Sequence, residues 1–308
     1  SINFIFLFIG DMHRDRQYHN EMLVYFCRET IEEQLLMKRW QNSEDVAFRL
    51  LTYLALTSTY ADGSEEIITA FDNWVSVSHV VIENEPDDLI FKKENNEFSE
   101  VGKDIRNNSI KRIAFQRDSL SKGIEEADDE DFIFYSDNDE IPNLENFDFE
   151  LNKNKIVMFK QKLFYYKFNL FCDRVDWHGT KGCKKKNLIS FTWLRDLKTK
   201  KYPFFRLDTF FSKNKYRNVK IVEDGGWHFT NMRNPEDLEK KLSNFLHHVD
   251  YEQSGIDLND LKKLMKEKKI MYNHNIDKKG SKWGEGAKLE TIKLKDMPKY
   301  IKDNFEKY

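Results

Sequence analysis

At 308 residues, with 40% apolar and 14% aromatic side chains, the chain is long enough to bury a sizeable core in one large domain or two small ones. Fifty Lys and Arg stand against 53 Asp and Glu, and the net charge of -3 excludes the global positive field expected of a nucleic-acid binder or of a protein drawn to anionic membranes. Three cysteines, Cys27, Cys172 and Cys183, lack metal-ligand spacing, so neither a disulfide framework nor a zinc site is indicated and a reducing, cytoplasmic setting is expected.

The apolar run Ile2 to Ile9 is too short to cross a bilayer and predicts a buried strand. Residues 15–40 carry Met22, Leu23, Phe26, Ile31, Leu35 and Leu36 at helical spacing. The segment 46–60 predicts a helix end and then a strand. Ser64 is placed to cap a helix through Ile67, Ile68 and Phe71, and Val75 to Glu83 is β-branched enough for another strand. Residues 84–108 are polar and read as a loop with a short helix; Ile113, Ala114, Arg117, Leu120 and Ile124 then predict a helix over 109–127.

The stretch Phe132-Ile133-Phe134-Tyr135-Ser136-Asp137-Asn138-Asp139-Glu140-Ile141-Pro142 follows. Its apolar half predicts a buried strand, and Pro142, which cannot continue a ladder, predicts that the chain turns outward there. Asp137, Asp139 and Glu140 then fall at the carboxyl edge of a sheet, where open α/β folds bind ligands. At such a junction two carboxylates can converge on one hard cation, whereas on a regular strand they would point to opposite faces. Further on, Ile156 to Tyr166 predicts a strand, Leu188 to Leu194 and Phe204 to Phe211 short elements, 235–248 a helix opened by Pro235, and 257–269 and 297–307 two basic amphipathic helices. Charge is blocked: residues 125–150 hold twelve Asp or Glu and no Lys or Arg, while 181–201 hold eight Lys or Arg against Asp196.

Taken in order, several of these segments resemble glycosyltransferase family 17, which includes the β-1,4-mannosyl-glycoprotein N-acetylglucosaminyltransferases. The likeness rests on Ala114-Phe115-Gln116-Arg117-Asp118-Ser119-Leu120, on Tyr135 to Pro142 with its Asp-x-Asp-Glu-Ile-Pro signature, on Phe164 to Asn169, on Trp177-His178-Gly179-Thr180, and on Gly226-Trp227-His228-Phe229 before an amphipathic helix. It spans residues 65–308 and fades before them. The resemblance implies an α/β, GT-A-like nucleotide-diphospho-sugar transferase fold with a mixed central sheet flanked by helices. It further implies a UDP-sugar donor, most readily UDP-N-acetylglucosamine, a carbohydrate acceptor, a Mn²⁺ or Mg²⁺ ion, and inversion at the anomeric carbon. On this reading 1–50 is an unmatched segment packed on a catalytic domain over 51–308, with 51–150 the nucleotide-binding half and 151–308 the acceptor half.

The resemblance also distributes roles. Asp139 is the first metal ligand, Asp137 a ligand or a ribose contact, and His228 a third ligand, a task neutral imidazole suits. Direct displacement needs a carboxylate base, for which Glu140, Asp224 and Glu236 stay open; Glu140 can equally be a brace of its loop. Arg117 and Arg112 are candidates for phosphate or for orienting the acidic loop, Lys181 and the Lys184-Lys185-Lys186 cluster for the diphosphate, and Trp177 for an acceptor sugar ring. No nucleic-acid partner and no membrane segment is expected. Two other classes compete: a non-catalytic carbohydrate-binding protein on a degenerate transferase fold, and a metallophosphoesterase. The latter rests on Gly10-Asp11-Met12-His13, similar to the first metal motif of the calcineurin-like enzymes, whose later motifs the chain lacks.

Overall fold

The computed structural model describes residues 4–9, 50–53, 86–90, 98–137, 139–144, 147–148, 152–199, 202–203, 205–216, 218–244, 251–252, 254–271, 286–293, 295, 297 and 301–302. The elements predicted over 15–40, 62–71 and 75–83, the Gly10–His13 motif and most of 297–307 lie outside these residues. The described chain is mixed α/β and divides into two compact units: residues 1–84, 116–161 and 178–227 form the first, and 85–115, 162–177 and 228–308 the second.

The strands of the described residues form a mixed sheet. Strand β1 (Phe4–Ile9) pairs in parallel with β2 (Leu50–Tyr53) on one side and with β3 (Phe132–Asp137) on the other, in a register that sets Ile9 opposite Asp137. Strand β3 pairs antiparallel with β6 (Leu170–Lys184), and the strand order is β2-β1-β3-β6-β5-β8-β4. Here β4 is Glu140–Pro142, β5 Ile156–Tyr165 and β8 Gly226–Thr230, while β7 (Val219–Val222) runs parallel to β5. Pro142 does not send the chain outward as the sequence predicts. It ends a short buried edge strand, a position where proline's missing N–H removes no ladder bond.

Both faces of β3 are covered, which is why its apolar run does not alternate with polar residues. Ile133 and Tyr135 face a cluster with Leu120, Ile124, Met158, Cys183, Phe191 and Leu194. On the other face the Phe134 ring meets Phe147 and Phe159 edge-on, at centroid distances of 6.2 and 5.8 Å. Each fully buried ring of this kind is worth about 1.5–3 kcal/mol of burial. Opposite Phe134 the ladder places Gly182, where a β-carbon would come within 2.5 Å of the Phe134 ring, so the glycine is what lets that ring lie over β6.

Helix α1 (Phe98–Ser119) begins well before the predicted Ser109 and passes at Leu120 into a 3-10 turn ending at Ile124. Helix α2 (Phe191–Asp196) is capped by Ser190, whose hydroxyl accepts from Trp193 N, and α3 (Asp208–Phe211) is a single turn. In the second unit, α4 (Pro235–Asn244) and α5 (Leu258–Lys266) carry Leu238, Leu242, Leu261 and Leu264 into a core with Leu163, Tyr165, Cys172 and Met271. A reciprocal Asp257–Asp260 capping box starts α5, and β9 (Glu290–Thr291) pairs with the beginning of β6. Among the described residues no helix is long and apolar enough to cross a membrane.

Candidate functional site

The carboxyl end of β3 delivers its acidic residues into a hydrogen-bonded relay. Arg117 Nε donates to the Tyr135 hydroxyl (3.1 Å), which donates to Asp137 Oδ1 (2.6 Å). The other Asp137 oxygen accepts from Arg195 Nη2 at 2.9 Å, and the same nitrogen donates to Glu140 Oε1 at 3.2 Å. Glu140 Oε2 closes the ring by accepting from the Asp137 backbone N–H (3.1 Å). Arg195 reaches this place from the last turn of α2, whose Phe191, Trp193 and Leu194 anchor the helix in the core.

The electrostatics follow from burial. Glu140 has no exposed surface, and a lone ionised carboxylate there would be costly. Burial by itself would lower the affinity of Arg195 for its proton, but Asp137 and Glu140 outweigh that and raise it above the ordinary guanidinium range. Burial, and next the charge of Asp137, push the Tyr135 phenol well above its usual value, so it stays a neutral donor. Both Glu140 oxygens are engaged by these contacts, and the side chain has no exposed surface. Beneath it, Ser136 Oγ donates to the Glu140 carbonyl (2.8 Å) and shares a 2.6 Å hydrogen bond with Thr180 Oγ1, which accepts from Gln161 Nε2 (3.1 Å).

Lys181, opposite Tyr135 in the β3–β6 ladder, is also buried, and its ammonium donates to the carbonyl oxygens of Arg195 and Leu197 at the end of α2. There it satisfies orphan helix carbonyls. Lysines 184 and 186 both pair with Glu130, and Lys185 Nζ donates to the carbonyls of Glu125 and Ala127 at 3.2 and 2.6 Å. The basic block thus meets the acidic block inside the chain.

Asp139 is half-buried in the turn between β3 and β4. Asp224 is exposed at φ 49°, and its carbonyl accepts from Asn143 Nδ2 (3.2 Å). The other expected residues lie in the second unit. There His228 is buried on β8 and its ring stacks on Trp177, with centroids 4.4 Å apart. Glu236, in the first turn of α4, pairs with Lys262 at 2.8 Å, and that hydrogen bond holds its carboxyl below the usual range. Arg112 is half-buried on α1. Among the described residues no three His, Cys, Asp or Glu side chains converge as metal ligands.

Arg117, Asp137 and Glu140 are therefore brought together, and the residues that join them, Tyr135 and Arg195, are the ones sequence reasoning did not single out. Arg195 had one signal: it lies in the basic block 181–201, just after the capped, apolar run Ser190–Leu194.

No protein-family model matches the chain, and neither does any curated protein. Among solved structures it is similar to HddC from Yersinia pseudotuberculosis complexed with GMP-PN, at 14% identity over 78% of this chain and 97% of that one, with a TM-score of 0.33. A second is the inositol-1-phosphate CTP transferase from T. maritima, at 12% identity over 79% and 97%, with a TM-score of 0.34. Likeness at this level carries no argument about fold or function.

Proposed function

We propose that this chain is a nucleotide-sugar-dependent glycosyltransferase on a GT-A-like fold, moving N-acetylglucosamine from UDP-N-acetylglucosamine to a carbohydrate hydroxyl with inversion. The observation that carries the reading is the acidic turn Asp137-Asn138-Asp139-Glu140, set at the carboxyl end of a buried strand parallel to β1, within motifs ordered as in glycosyltransferase family 17. Arg117 and Arg195 hold that turn. Glu140, Asp224 and Glu236 are the proposed sources of the base, and of these Asp224 and Glu236 are exposed.

The Mn²⁺ or Mg²⁺ implied by the resemblance would fall to Asp139, Asp137 and His228. Of these, Asp137 already accepts a hydrogen bond at each oxygen, one from Tyr135 and one from Arg195. No step is assigned to a metal, and Asp139 and His228 keep their ligand roles as proposals.

The test is calorimetry of the full chain with UDP and GDP, with and without manganese, followed by an assay for UDP release from UDP-N-acetylglucosamine. UDP binding is expected, together with release that Asp139→Ala lowers on the order of a hundredfold. Sugar binding without nucleotide binding or turnover of any donor would sink the transferase reading in favour of a carbohydrate-binding protein. Metal-independent turnover would remove the ion alone.

A further inference from the structure

The segment following α2 is a loop held closed by its own polar contacts. At its base Lys198 N donates to Asn214 O (3.0 Å), and the Trp193 indole N–H donates to Lys213 O (2.6 Å). Inside it Asp208 accepts from Arg206 Nε and Nη2 at 2.8 and 2.9 Å and pairs with Lys215 at 2.8 Å, while Thr209, buried, donates to Arg206 O. Surface loops whose ends are brought close together are frequently functional.

The loop leaves its apolar side chains outside. Phe205 is 65% exposed, Leu207 69%, Phe210 70% and Phe211 90%, whereas most other large apolar residues among those described are buried. Its charge is as one-sided as its hydrophobicity. Residues 198–217 contain seven Lys or Arg and a single acid, Asp208, already bound by two of them. Hydrogen bonds from Arg206 and then Lys215 hold the Asp208 carboxyl far below its usual range, so it stays ionised and paired. The chain's net charge of -3 conceals this local positive excess.

We propose that this loop docks the protein on an anionic lipid surface, with Phe205, Leu207, Phe210 and Phe211 entering the headgroup–acyl boundary and Lys198 and Lys213 meeting lipid phosphates. Exposed apolar tips among basic residues are the combination such a surface retains. Phe210 and Phe211 are consecutive on a helical turn, so they leave it about 100° apart. A hydrocarbon phase accepts side chains leaving in several directions, whereas a protein pocket takes one face.

The experiment is flotation of the full chain with vesicles of phosphatidylcholine alone and of phosphatidylcholine mixed equally with phosphatidylserine. Binding to the mixed vesicles is expected, weakened by salt as charge is screened. Lys198→Glu with Lys213→Glu should lower the partition on the order of tenfold or more. Phe210→Ser with Phe211→Ser should lower it on the order of a hundredfold. Both pairs are exposed, so unchanged unfolding midpoints show that the loss is not one of folding. Wild-type protein that ignores the mixed vesicles overturns the proposal, as does a phenylalanine variant that floats like wild type. Self-association in vesicle-free sedimentation, abolished by the same variant while vesicles are ignored, would reassign the loop to a second copy of the chain. Oligonucleotide binding under the same conditions would likewise reassign it to nucleic acid.

Discussion

Arg195 donates from one nitrogen to two carboxylates, one of which, Glu140, burial has stripped of water, so its removal costs more than the bonds it makes. Arg195→Met leaves Glu140, with no exposed surface, uncompensated, and the expected loss is about 3–5 kcal/mol in urea denaturation. Adding Glu140→Gln to that variant should restore part of it, because the stranded charge is gone; a double variant no better than the single one would show that the charge is not the cause. Lys181 gives a pH signature at the same scale. Burial, and next the Arg195 charge, bring its ammonium down to about 7 from an ordinary 10.5. Between those values the unfolded chain binds more protons than the folded one, so the contribution of Lys181 to stability rises with pH across the window and is lost as pH falls through about 7. Wild type should therefore gain on Lys181→Met in urea midpoints taken from about pH 7 to about pH 9, and parallel profiles would count against the buried lysine.

Among the elements, the join between β4 and β8 is the most sterically determined. Gly226 sits at φ 123°, and a β-carbon there would lie 2.0 Å from Ile141 O and 2.7 Å from Asn143 N. Gly226→Ala should cost on the order of 3 kcal/mol or more. Gly255→Ala, also at positive φ (71°) but with nothing within 4 Å, should cost roughly 1–2 kcal/mol, and thermal unfolding of the two variants separates the clash from the backbone strain. The Gly225-Gly226 pair is a place of close backbone approach. What approaches is the protein's own chain at Ile141 and Lys160. Strand β3 was legible from its unbroken apolar run, as were α4 and α5 from helical spacing and caps. The start of α1 was not: Phe98, Val101 and Ile105 stand at helical spacing, but Gly102 and the Asn107-Asn108 pair among polar neighbours read as a loop. Part of that helix is fastened instead by a polar anchor, Asn108, whose amide exchanges hydrogen bonds with both backbone groups of Ile90, and periodicity does not register such a contact. The same limit hid Arg195, which meets Asp137 and Glu140 from more than fifty residues away, where only the ladder between β3 and β6 and the fold of α2 bring them together.

For the whole molecule, pairing between distant strands decides what the sequence left open. Strand β1, in the stretch that resembles no family, lies between β2 and β3 and runs alongside β3 to Asp137, so the candidate site rests on the start of the chain as well as on its middle. The two cores also have a practical consequence. Among the described residues each of the two compact units encloses one thiol, Cys183 in the core of the first and Cys172 in the core of the second, both free and without exposed surface. Burial pushes the Cys183 thiol up to about 12 and raises that of Cys172, so neither presents a thiolate to reagent while its unit is closed. In a Cys27→Ser background, each should alkylate on the order of a thousandfold more slowly than an exposed cysteine. Two different alkylation rates, read by mass spectrometry, would give the opening frequency of each unit separately, and a single shared rate would mean that the molecule opens all at once. The chain thus carries its own pair of stopwatches, one in each core.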